Sequence, residues 1–510
     1  MNYTPLARLI FRHRAHRTDL WGADTHRIQL NQLRRLLSRG ASTEFGRTHG
    51  FEDILNSADP RETFARSVPA AGYEDFRPMV LRMMDGERDV LWPGGCMNYA
   101  RSSGTSGGPS KFIPVTGDSL RINHFAGSAD VVAQYLRYYP ESRLFSGKAM
   151  ILGGSFDPRP RQPGVKVGDL SASLIDSIPA MGNMFRVPDK KTALLPDWNE
   201  KLDLMAKAAV RAPLTNISGV PSWFLRVLLR ALEISGHTYG HDLWPHMEVF
   251  FHGGIRFEPY RSEYDSIFDP SRMHYFETYN ASEGFFATQA ARENDGMLLL
   301  IDNGVYYEFM PLGAEGDTRA LGAHELTPGH VYEMIITSCN GLWRYRIGDT
   351  VEVVSQNPLR IRVAGRTRSF INAFGEELME SNAETAVAEA TRLTGAAVRN
   401  YTAGPLYARG NRKGRHQWLF EWDVPPADTR LFAKTLDKAL KSVNTDYAAK
   451  REGDIFLDMP EIVTLPSGSF DRWLSTHGNG KLGGQRKIPR LHNDRTIIDS
   501  LLCASGIEDD

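Results

Sequence analysis

The sequence predicts an α/β protein, with a large α/β body followed by a small α+β tail. Three observations carry this. Amphipathic helical stretches alternate with short runs rich in branched and aromatic residues through the first two thirds of the chain. The segment "GRTRSF", Gly365 to Phe370, breaks that pattern with glycine and alternating arginine. Beyond it lies a separate set of helix and strand signals. These place residues 1–365 in the large domain and 366–510 in the small one.

In chain order, "HRIQLNQLRRLLSRG" sets Ile28, Leu30, Leu33, Leu36 and Leu37 at helical spacing, with Gly40 as the stop. "PSWFLRVLLRALEISG" opens on Pro221 and ends on Gly236, the asymmetry expected of a helix. "MEVFFHGG", "GMLLLID", "GVYYEFMP" and "HVYEMIITS" read as strands, and Asp302, Asn303 and Gly304 predict a hairpin between the second and third. "DTVEVVS" and "LRIRVAG" give two more strands. In the tail the pattern predicts a helix over 373–393, a strand at "WLFEWDV", and a helix from Asp428 whose stripe runs Phe432, Leu436, Leu440, Val443 and Tyr447. No fixed-period repeat and no low-complexity stretch is present.

With 510 residues there is length for roughly two to four units. Sixty basic against 61 acidic residues give a formal charge of -1, which excludes a global electrostatic footprint for nucleic acid. Cys96, Cys339 and Cys503 are far apart, so neither a disulfide framework nor a zinc cluster is indicated. A reducing cytoplasm is expected. "MNYTPLARLIFRHRAHR" lacks the apolar core of a signal peptide, and no stretch reaches bilayer-spanning length, so no stable membrane insertion is expected.

"SSGTSGGPSKFIPVT", Ser102 to Thr116, crowds glycines, hydroxyls and Lys111 between a strand end and an apolar run. Glycines let successive N–H groups curl around an anion, and hydroxyls and a lysine add donors, so phosphate cradling is the leading chemistry. The P-loop pattern fails, because Pro109 stands five residues after Gly104 and phenylalanine follows Lys111. Glu283 in "HYFETYNASEGFFAT" and Asp349 in "LWRYRIGDTVEV" are each, alone, ordinary turn residues.

In order, however, the hydroxyl loop, "YNASEG", "YRIGD" and "GRTRSF" resemble the successive motifs of adenylate-forming enzymes. With "LGGS" at Leu152, "GDLS" at Gly168 and "GGQRKIPR" at Gly483, the chain resembles the Gretchen Hagen three family of acyl acid amido synthetases, in its shorter bacterial type. The resemblance implies a large domain of helix-flanked β-sheets, a small mobile carboxy-terminal domain, and use of ATP and Mg2+. It implies activation of a carboxylic acid as acyl-AMP and transfer to an amine, as of an amino acid. By it Ser102, Ser103, Gly104, Thr105 and Ser106 hold phosphates, and Tyr279, Asn280, Ala281 and Ser282 line the adenine and α-phosphate. Glu283 is the catalytic metal ligand, Asp349 takes the ribose hydroxyls, and Tyr306 and Arg346 close the pocket. The tail lysine is Lys487, with Lys481 its rival. An apolar acid pocket is sought near Leu120, Arg121 and Phe125 and at His252 to Gly254. A monomer is expected. A thioester-forming ligase using coenzyme A and a non-catalytic nucleotide-binding scaffold stand as alternatives.

Overall fold

A computed structural model describes residues 2–102, 111–158, 162–255, 257–293, 295–312, 319–366, 370–408, 413–452, 457–477 and 488–507. They form two compact units, one of described residues up to 366 and one of those from 370. In the first, a twelve-stranded sheet carries both kinds of ladder. Five strands, Arg186–Val187, Lys148–Ile151, Leu214–Gly219, Val249–His252 and His274–Ala281, run parallel in that order. Helices Trp198–Arg211, Pro221–Ser235 and Glu258–Ile267 connect them, as parallel crossovers require. The remaining seven, from Gly284–Gln289 to Leu321–Gly322, are antiparallel. A small sheet of Lys111–Pro114, Asn98–Ser102 and Lys166–Gly168 completes the unit. Its core is strongly aromatic, with Trp21, Phe51, Phe64, Tyr307, Trp343 and Tyr345 fully buried.

The second unit packs helices Glu380–Thr394 and Thr429–Val443 with a sheet of Ala397–Leu406, Arg415–Val424 and Glu461–Thr464. Among the described residues no helix is long and apolar enough to cross a membrane.

Three elements differ from expectation. Asp302 to Gly304 do not join a hairpin: Met297–Leu299 and Val305–Pro311 are separated by three other strands of the sheet. The reason is Gln29, buried on the helix Trp21–Gly40. Its Nε2 donates to the carbonyls of Ile301 (2.7 Å) and Val305 (3.0 Å), and its Oε1 accepts from the Tyr307 N–H (2.8 Å), so groups flanking the turn bond to a helix instead of to each other. The helix expected over 373–393 begins only at Glu380, because Phe370–Ile371 pairs with Leu378–Met379 in a short hairpin. The last stripe is divided. The helix ends at Val443, and the Asn444 side chain accepts from the Tyr447 N–H (2.7 Å) to cap a new helix, Thr445–Arg451.

The stretch after Thr116 opens as a π-helical segment, Ser119–His124, and continues as the helix Phe125–Tyr138. There the Asn123 side chain donates to the carbonyls of Phe285 and Asn303 (3.1 Å each) and accepts from the Phe285 N–H (2.7 Å), pinning the helix start to the strand Gly284–Gln289. His124 beside it is buried, and burial pushes its imidazole down to about 4 from 6.5. A depressed histidine binds its proton more readily in the unfolded chain. Its stabilising contribution is therefore complete above about 6.5 and is lost as pH falls toward 4, on the order of 3 kcal/mol for this site. We expect the urea midpoint of the His124→Gln protein to fall less steeply between pH 6.5 and 4 than that of the parent. Equal slopes would remove His124 from the acid response.

Candidate adenylating site

Strands His274–Ala281 and Gly284–Gln289 pair antiparallel with Ala281 opposite Gly284, so Ser282 and Glu283 alone make the turn. This turn stands at the carboxyl end of the last parallel strand, where ligands gather in open α/β sheets. Glu283 is buried. Its backbone carbonyl accepts from Asn340 Nδ2 (3.1 Å), and Asn340 Oδ1 in turn accepts from the Ser338 hydroxyl (2.6 Å). The turn is thus held from below by a second loop. Burial raises the Tyr73 phenol's pKa, and the nearby Glu283 carboxylate adds to the rise. Tyr73 is fixed in turn, its hydroxyl accepting from the Phe112 N–H at 2.6 Å.

Asp349 is likewise buried and lies within the strand Tyr345–Gln356, following Gly348 (φ 87°) in an irregular stretch of register. Its Oδ2 accepts from the Tyr279 hydroxyl at 2.6 Å. Those two residues sit on strands separated by three others. On a flat sheet that is roughly 19 Å, so this half of the sheet curls until two motif residues 70 apart in sequence touch. Lys111, also buried, donates from Nζ to the Tyr345 hydroxyl (3.4 Å). Ser102 faces Lys111 as the last pair of their antiparallel ladder.

Two expected pocket residues stand elsewhere. Tyr306 pairs with Thr337 and Arg346 with Ile335, which puts both on the sheet face opposite Tyr345 and its partner Ile336. There Tyr306 lies among Arg61, Glu308 and Arg344, while Arg346 forms an ion pair with Glu333 (2.5 Å). Neither meets Tyr279 and Asp349. Asn280, Ala281 and Ser282 are partly exposed along the rim beside them. Ser103, Gly104, Thr105, Ser106, Lys481 and Lys487 lie outside the described residues. Of the positions considered for an acid pocket, Arg121 is mostly exposed and bonded to Asp118 (3.2 Å), whereas His252 is buried with its ring stacked on Phe257 (4.4 Å between centroids). Tyr73, Asn123, Asn340 and Tyr345 were not foreseen. Only Tyr345, inside the "YRIGD" stretch, carried any signal in the sequence.

The chain matches the GH3 family N-terminal domain over residues 14–239, its central domain over 298–366 and its C-terminal domain over 381–496. It belongs to the GH3 family. A probable indole-3-acetic acid-amido synthetase GH3.1 of Arabidopsis thaliana is 23% identical, with 94% of this chain and 91% of that protein covered. The probable GH3.1 enzyme of rice, Oryza sativa subsp. japonica, is 24% identical over 94% of this chain and 89% of its own length. Among solved structures, AtGH3.15 acyl acid amido synthetase in complex with 2,4-DB superposes with a TM-score of 0.57 at 20% identity, covering 94% and 93% of the two chains. A 2-hydroxyisobutyryl-CoA ligase bound to 2-HIB-AMP and CoA gives 0.57 at 12% identity, covering 95% and 93%. This GH3 chain therefore has the adenylate-forming fold, and its homologues are amido synthetases.

The site's chemistry suits a nucleotide and a hard cation. Mg2+ is usually held by one or two carboxylates together with phosphate oxygens, and Glu283 offers one buried carboxylate on a turn held through its backbone. Among the described residues no group of three or more His, Cys, Asp or Glu could hold a metal ion by itself. Asp349 offers a carboxylate suited to a diol, already oriented by a phenol.

Proposed function

We propose that this GH3 protein is an ATP-dependent acyl acid amido synthetase. The observation that carries the reading is the Tyr279–Asp349 bond, which joins the "YNASEG" and "YRIGD" motifs at the mouth of the Glu283 turn. Two displacements make up the reaction. A carboxylate oxygen of the acid attacks the α-phosphorus of ATP, forming acyl-AMP as pyrophosphate leaves. An amine, taken to be that of an amino acid, then attacks the acyl carbon, AMP leaves, and the amine nitrogen gives up a proton.

In this reading Ser102 to Ser106 hold the phosphates, Tyr279 to Ser282 border the adenine and α-phosphate, Glu283 ligates Mg2+ and Asp349 accepts from the ribose hydroxyls. Mg2+ supplies charge neutralisation at the phosphates. Lys487 serves as the tail lysine on the leaving pyrophosphate, with Lys481 as the rival. Residues 1–365 act as the adenylation domain, and 366–510 rotate about residues near Arg366 between the two half-reactions. The protein is taken to act as a cytoplasmic monomer, with a small acid and an amine as its partners and no nucleic acid.

A thioester-forming reaction shares the fold, as the CoA ligase neighbour shows for itself, but GH3 membership favours the amide. Exchange of labelled pyrophosphate into ATP across a panel of carboxylic acids is expected to depend on one acid class. Addition of amino acids, and not of coenzyme A, should then consume the adenylate. Thioester as the product would overturn the amide reading, and failure to bind ATP at all would favour the scaffold.

A further inference from the structure

The first 40 residues hold eight arginines and no lysine against two aspartates and no glutamate, a formal charge of +6 in a chain whose total is -1. Part of that charge is consumed internally. On the helix Thr4–Arg17, Arg14 bonds Asp130 (2.9 Å) and Arg17 bonds Asp302 (3.0 Å), fastening the last turn of the helix to the unit. Thr4 and Ala15 are buried on one side of the helix, and Phe11 on that side packs against the core.

The side opposite Thr4, Phe11 and Ala15 is exposed and largely apolar. Leu6, Leu9 and Ile10 are 59%, 69% and 63% exposed, and Leu20, one turn past the helix, is 67% exposed. At 3.6 residues per turn Leu6, Leu9, Ile10 and His13 form one stripe, with Arg12 and His16 along its flank, all exposed. The helix itself carries no acid. Asp19, the nearest one, is engaged by Arg137 Nη1 (2.6 Å) and by His16 (3.4 Å).

We infer that this face docks the protein on an anionic lipid bilayer, with Leu6, Leu9 and Ile10 entering the acyl boundary and Arg12, His13 and His16 lying among the headgroup phosphates. Three projecting aliphatic side chains with no groove between them suit a fluid apolar layer, and Arg12 at their flank, on a helix without acids, suits an anionic one. This inference does not depend on the proposed reaction.

The test is sedimentation of the full chain with vesicles of phosphatidylcholine alone and with phosphatidylglycerol added. Binding is expected only to the anionic vesicles, weakened at about 0.5 M salt. The Leu9→Glu/Ile10→Glu double variant should lower partitioning by about tenfold or more, with its urea midpoint close to that of the parent. Equal binding to both vesicles, no binding to either, or an unaffected double variant would each overturn the inference. So would light scattering that showed the parent as a dimer and the double variant as a monomer, or salt-sensitive binding to duplex nucleic acid without vesicle binding.

Discussion

Glu283→Gln is expected to reduce acid-dependent pyrophosphate exchange by about a hundredfold or more while leaving the fold intact. The substitution keeps size and removes only charge. Because the turn is held through the Glu283 backbone carbonyl and Asn340, the change leaves that bond in place. A lost rate therefore reports the carboxylate and not a displaced loop. If the carboxylate ligates Mg2+, the variant should also need a higher Mg2+ concentration to reach half its own maximal rate, a shift that a merely structural acid would not produce. Exchange at the parental rate would remove Glu283 from the metal site.

Short-range patterns in the chain disclosed the secondary structure and the order of the motifs, and both rest on spacing within a dozen residues. What they could not disclose was contact over long separations. Asp349 read by itself is a turn residue, yet it lies buried inside a twelve-residue strand because the curled sheet brings Tyr279 to it. Lys111 was visible as a cation after the glycines, but its partner Tyr345 is 234 residues away. The predicted hairpin at Asp302 to Gly304 failed for the same reason, since the bonds that decide it come from Gln29, 272 residues from Ile301. Periodicity places Tyr306 and Arg346 on strands, and only the register shows that both stand on the face turned away from Tyr345.

The arginine in "LWRYRIGD" with the largest expected effect on stability is Arg344 and not Arg346. Arg344 Nε bonds Glu308 (2.8 Å) with side chains 8% and 4% exposed, and its Nη1 donates to the carbonyls of Ala65 and Val68 at 2.7 Å each. Arg344→Met would leave a buried carboxylate without its cation and two carbonyls without this donor, a loss of about 3–5 kcal/mol. The Arg344→Met/Glu308→Leu double variant removes both charges and should be less destabilised than Arg344→Met alone, as read from urea midpoints. A double variant at least as unstable as the single one would mean that packing, and not the stranded charge, sets the cost. The effect should also reach the site. The Arg344 carbonyl accepts from the Ala71 N–H (3.1 Å) and the Ala71 carbonyl accepts from the Arg346 N–H (2.9 Å), and this pairing leads within two residues to Tyr73 beside Glu283. Loosening it frees the backbone that positions Tyr73 beside the Glu283 carboxylate, so Arg344→Met is expected to lower exchange activity even at temperatures where most of the protein remains folded, and the double variant should recover part of that activity along with its stability.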